Sequence, residues 1–87
     1  MQVYEAYRAL TDAAKREAVL KICASLRAEG APVSDEYMKQ VLLGLRKTAC
    51  SERVARAVSA HFRGHCGIDV ATDEVVPTPE GKHAAAR

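Results

Sequence analysis

Apolar residues spaced three and four positions apart recur through the first two thirds of the chain. This spacing predicts helices that each bury one face. The clearest early stripe comprises Val19, Ile22, Cys23 and Leu26. Thr11 or Asp12 is expected to cap the start of this helix, and Gly30 follows its last turn. A shorter apolar stripe predicts a short helix, or an extension of this one, before residue 11.

A second helix is expected after an extended linker that ends at Ser34. Ser34 can cap this helix, and Asp35 and Glu36 complement the helix dipole in its first turn. Its apolar stripe comprises Met38, Val41, Leu42 and Leu45. Gly44 falls within this pattern, where it is expected to cost up to about 1 kcal/mol relative to Ala.

A third helix is expected to begin after Ser51, which can cap it, and to run to about Arg63. Its buried ridge comprises Val54, Val58 and Phe62. Either Gly64 or Gly67 is expected to end it, because glycine adopts the left-handed conformation that closes many helices.

Together these elements predict a mostly α-helical domain of three to four helices over residues 1–76. Its last part, residues 68–76, is expected to form either a short β-hairpin or an extended arm. Residues 77–87, which begin with two prolines in three positions, predict a flexible tail. The chain has 87 residues, one Phe and no Trp, so an aliphatic core of marginal stability is expected. Because association of two copies adds buried surface, we expect a homodimer.

The composition also bears on the compartment. No run of about 18 apolar residues is present, so no membrane span is expected. The first residues are charged throughout and lack the apolar stretch of a secretory signal. The three cysteines are an odd number without a disulfide framework, which indicates reduced thiols. These features predict a cytoplasmic protein.

Charge is segregated along the chain. Residues 39–65 contain six basic residues against one acid, Glu52, whereas residues 1–38 contain five basic residues and six acids. Residues 68–87 contain two basic residues and four acids. A local cluster of cations is typical of nucleic-acid contacts, because closely spaced positive charges release the counterions that surround the phosphates. A solvated helix face gives the same pattern, and this alternative remains open.

A helical projection of the third helix separates its arginines from its apolar ridge. Relative to Val54, an advance of about 100° per residue puts Arg63, Arg56 and Arg53 at about 180°, 200° and 260°. We therefore expect these side chains opposite the core, with small Ser59 and Ala60 between them. A helix that enters the major groove of DNA needs small residues for close approach and arginines for phosphates or guanine edges.

Residues 48–58, Thr-Ala-Cys-Ser-Glu-Arg-Val-Ala-Arg-Ala-Val, resemble the turn and recognition helix of small helix-turn-helix transcriptional repressors of plasmid and phage type. The resemblance covers about twenty residues within 38–62 and implies that Val54 and Val58 pack on the preceding helix. It also implies an operator-binding repressor. The chain departs from the family before the turn, where Leu45 and Ala49 replace a small residue and a glycine. The expected DNA-binding residues are Arg46, Lys47, Ser51, Arg53, Arg56 and Arg63.

Other functions have weaker support. Cys50, His61, His65 and Cys66 include metal-ligand types, and His61 and His65 have a spacing that can share zinc. A close upstream Cys pair is missing, so we expect no metal and no cofactor. Without a phosphate loop or a paired-carboxylate motif, we do not expect an enzyme. The alternative to DNA binding is a protein-interaction module, an inhibitor or adaptor whose basic face binds an acidic partner.

Overall fold

The computed structural model describes residues 1–46 and 50–76. It contains four α-helices, α1 (Val3–Arg8), α2 (Asp12–Ala28), α3 (Asp35–Leu43) and α4 (Glu52–His61). A turn of π-helix (Phe62–Cys66) continues α4, and a 3-10 turn (Thr72–Glu74) follows. The predicted mostly α-helical domain of three to four helices is confirmed. The predicted flexible tail, residues 77–87, lies outside the described residues.

Hydroxyl side chains cap the three longer helices at their starts, as the sequence predicts. The Thr11 Oγ1 accepts a hydrogen bond from the Ala14 amide at 3.2 Å, and the Ser34 Oγ accepts one from Tyr37 at 3.1 Å. The Ser51 Oγ accepts one from Val54 at 3.3 Å. Each bond satisfies an amide that has no partner within the helix, so the starts of α2, α3 and α4 are set locally.

Gly44 is a correction to the sequence analysis, which placed it inside the second helix. It lies at the C-terminal cap of α3 with φ +69°, a left-handed conformation. Glycine favours this conformation because it lacks a Cβ, so the expected cost of a glycine inside the helix does not apply. Because α3 ends at Leu43, the next apolar residue, Leu45, leaves the stripe and is 53% exposed.

The core is built around α2, against which both α3 and α4 pack, while α1 packs on α3. The core is aliphatic apart from Phe62 and Tyr7, in agreement with the sequence. Its largest fully buried side chains are Phe62, Ile22, Leu26, Met38, Leu42, Val3, Val58 and Val70. No helix in residues 1–46 or 50–76 is both long enough and apolar enough to cross a membrane.

The connection between α3 and α4 differs from the one that the resemblance implies. Eight positions, 44–51, separate α3 from α4, of which the structure describes 44–46 and 50–51, whereas helix-turn-helix motifs use a turn of three or four residues. The main packing partner of α4 is α2 rather than the preceding helix α3.

Residues 68–76, which we call the arm, lie along one side of α4. No strand forms in this segment, whose chain is irregular around the 3-10 turn. Val70 and Val75 are buried in the core, and the Ser59 hydroxyl donates a hydrogen bond to the Val70 carbonyl. The amino group of Met1 forms an ion pair with Glu74 at 2.8 Å. The arm is therefore an integral part of the fold.

Candidate nucleic-acid interface

The exposed side of α4 and of the turn that continues it carries three arginines around one small residue. We call this set, Arg53, Arg56, Ala60 and Arg63, the arginine face. Its four residues are all exposed, and the Arg56 and Arg63 side chains are 69% and 70% accessible. The opposite side of α4 carries Val54, Val58 and Phe62 into the core. The helical projection therefore places the arginines correctly relative to the core.

The prediction for Ser59 was wrong. The helical projection placed this residue on the exposed side, between the arginines. It is buried beneath the arm and bonded to the Val70 carbonyl. Ala55, on the same side of α4, is also buried. The arm and α2 thus cover two sides of α4, and the arginine face is a narrow strip between them. On α4 itself Ala60 is the small residue that stays exposed between the arginines, and Gly64 in the turn that continues α4 is also exposed.

Two of the three arginines are paired with acids. Arg56 contacts Glu52 at 3.0 Å, one turn earlier on α4, and Arg63 contacts Asp69 of the arm at 3.1 Å. Arg53 has no hydrogen-bond or ion-pair partner in the part of the chain that the structure describes. Because both pairs are exposed, each contributes little to stability and can be exchanged for another anion.

The remaining predicted site residues lie elsewhere. The Arg46 guanidinium is 4.5 Å from the centroid of the Tyr37 ring and donates to the Gln40 Oε1 at 3.4 Å. It is half-buried and separate from the arginine face. Ser51 is exposed at the start of α4, where its side chain caps the helix. Lys47 lies outside the described residues.

The acidic partners of the arginines were not predicted from the sequence. The Glu52–Arg56 pair could have been predicted from the sequence, since an acid and a base four residues apart lie on one face of a helix. No local signal pairs Arg63 with Asp69, because the chain leaves the helix between them. The arginine face holds three of the six basic residues of segment 39–65, and acids neutralise two of these three. The positive charge of this surface is therefore smaller than the sequence count indicates.

The candidate metal ligands do not form a site. No three His, Cys, Asp or Glu residues within 1–46 and 50–76 come together in a way that could hold a metal ion. The His61 and His65 rings stack with their centroids 4.9 Å apart, and the Cys50 Sγ faces the Val75 carbonyl at 3.9 Å. Burial raises the pKa of the thiols of Cys50 and Cys66, which disfavours the reactive thiolate.

The buried imidazole of His61 predicts a pH-dependent stability. Burial, and then the neighbouring His65, lower its pKa below the ordinary 6.5; Glu17 opposes this shift, and Lys21 adds the smallest contribution in the same direction as burial. Below pH 6.5 the unfolded chain therefore binds more protons than the folded chain, so the free energy of unfolding decreases as the pH is lowered. We expect the melting temperature to drop between pH 7 and 5.5, and to drop less in His61→Gln.

His65→Gln is the control for this experiment, because it removes the exposed neighbour that stacks on His61, the second cause of the lowered pKa, and leaves the imidazole of His61 itself on α4. Its melting temperature should retain most of the wild-type dependence on pH. An equally steep dependence in His61→Gln and in the wild type would contradict the assignment to His61.

Comparisons with known proteins do not assign this site. No family model matches the sequence, and searches of curated proteins and of solved structures find no significant match.

Proposed function

We propose that the protein binds double-stranded DNA through the arginine face and acts as a cytoplasmic, homodimeric transcriptional repressor. The observation that carries the proposal is Arg53, an exposed arginine without a partner in the described residues, on the same strip as Arg56 and Arg63. Arginine presents several fixed donors that match phosphate oxygens and the edge of guanine. The resemblance of residues 48–58 to repressor recognition helices supports the same function.

In this proposal, α4 presents its exposed strip to the major groove. The groove is about 12 Å wide and admits one α-helix. Arg53 and Arg56 reach base edges or phosphates, while Arg63, Arg46 and Lys47 contact the backbone and fix the register. Ser51 contributes as the cap that sets the start of α4, close to the DNA. Two copies of α4 in a homodimer would contact two half-sites and multiply the affinity.

The proposal predicts salt-sensitive binding to duplex DNA. Labelled random duplex should bind the purified protein at low salt, as measured by fluorescence anisotropy. The logarithm of the affinity should fall linearly with the logarithm of salt concentration. If each arginine of the face neutralises one phosphate, the face alone gives a slope of about −3 for one copy and about −5 for a dimer, and the backbone contacts assigned to Arg46 and Lys47 make the slope steeper.

Two outcomes would count against this function. The first is a lack of binding at low salt with micromolar protein. The second is binding with a slope near zero, because phosphate contacts must release counterions. Either outcome would favour the alternative, in which the same arginines contact an acidic surface of a protein partner.

A further inference from the structure

The two acids beside the arginine face are held in place by the fold. Glu52 lies in the first turn of α4, one helical turn before Arg56. Asp69 precedes Val70, which is fully buried and accepts the hydrogen bond from Ser59. The carboxylates of both acids remain exposed, with side chains 76% and 85% accessible. They therefore stand beside the arginines at the surface that the proposed function assigns to DNA.

From this geometry we propose that Glu52 and Asp69 are built-in competitors for phosphate that lower the DNA affinity of the arginine face. The inference rests on the proposed function. A phosphate that binds Arg56 or Arg63 competes with a carboxylate that already lies 3.0 or 3.1 Å from the guanidinium. Arg53 has no competitor in the described residues, so it makes the first contact with DNA.

The exchange of carboxylate for phosphate has a limited cost, because both pairs are exposed. Breaking an exposed ion pair of this kind changes an equilibrium constant by no more than about a few-fold. Removing one acid is therefore expected to tighten DNA binding by about two- to fivefold, and removing both by about four- to 25-fold, if the sites act independently. The salt dependence should become steeper, because the arginines that are released make fuller phosphate contacts.

The test compares Glu52→Gln, Asp69→Asn and the double variant with the wild type, using the same random duplex at several salt concentrations. The matched control is Glu36→Gln. Glu36 is exposed in the first turn of α3, as Glu52 is in the first turn of α4, but α3 packs on α1 and α2, and the loss of Glu36 changes the net charge equally. Melting temperatures establish that each variant is folded. The control should bind like the wild type, whereas each of the three test variants should bind tighter.

A second comparison separates competition from general repulsion of DNA by an acid. In an Arg56→Gln background, Glu52→Gln has no arginine to release, so its gain in affinity should disappear. A gain that persists in this background would overturn the inference, since the acid would then act at a distance.

The two proposals fail in distinguishable ways. If the wild type binds DNA and the three test variants bind no tighter than Glu36→Gln, the inference alone is wrong. If the wild type and all the variants fail to bind at low salt, the proposed function is wrong and the inference with it.

Discussion

Phe62→Ala is expected to lower the free energy of unfolding by about 3–5 kcal/mol. Phe62 is the single Phe of the chain and is fully buried where α4 passes into the π-helical turn. Its removal leaves a cavity in a closely packed core, which adds to the lost burial of the ring. Small domains are stable by about 5–15 kcal/mol in total, so a large fraction of the stability would be lost. Denaturant unfolding followed by circular dichroism measures the change.

The control for this variant is Leu20→Ala on α2. Leu20 is 56% exposed, so its truncation removes little buried surface, and the change should stay within about 0.5 kcal/mol. If Phe62→Ala cost no more than Leu20→Ala, Phe62 would not be the centre of the core. Should Phe62→Ala fail to fold at all, the milder Phe62→Leu is expected to fold with a smaller loss that still exceeds that of Leu20→Ala.

The starts of the helices could be predicted because their causes are local. A hydroxyl side chain and the amide three residues later settle each start, as Ser34 and Ser51 illustrate. The end of α3 was missed because apolar spacing continues through Leu45. The competing signal was Gly44, whose left-handed conformation ends the helix before Leu45.

The environment of α4 depends on contacts that sequence spacing does not report. A helical projection assumes one buried side, but the arm covers a second side, including Ser59 and Ala55. The arm takes this position because Val70 and Val75 enter the core, and the short apolar pattern of residues 68–76 does not indicate which helix it packs against. The pairing of Arg63 with Asp69 is a consequence of the same contact. The exposed arginines were therefore predictable, whereas their acid partner on the arm was not.

The resemblance of residues 48–58 to a recognition helix describes local sequence, and a helix forms there at Glu52–His61. It could not predict how α4 sits on the rest of the domain, since eight residues separate α4 from α3 and α2 is its main partner. Sequence similarity over a single helix leaves such long-range packing undetermined. The DNA-binding hypothesis therefore depends on the arginine face itself, and variants of this face test it directly.

Arg53→Ala is expected to weaken binding to random duplex by about tenfold per copy at about 0.1 M salt, the counterion-release contribution of one phosphate contact. The salt slope should become shallower by about 1 for one copy and by about 2 for a homodimer that contacts DNA through both arginine faces. Because Arg53 is exposed and has no partner in the residues described, the melting temperature should stay nearly unchanged. Binding is measured by anisotropy with random duplex, and folding by thermal denaturation.

Arg16→Ala is the matched control, because it removes an equal charge from an exposed arginine on another surface. Arg16 lines a groove with Tyr7, Asp35 and Lys39, whereas the side of α2 that faces α4 carries Lys21 and Ile22. Loss of charge alone would weaken both variants equally, but a contact through the arginine face weakens only Arg53→Ala. If Arg53→Ala bound as tightly as Arg16→Ala, DNA would not lie on the arginine face. Binding that persisted in both would then require a different surface of the protein.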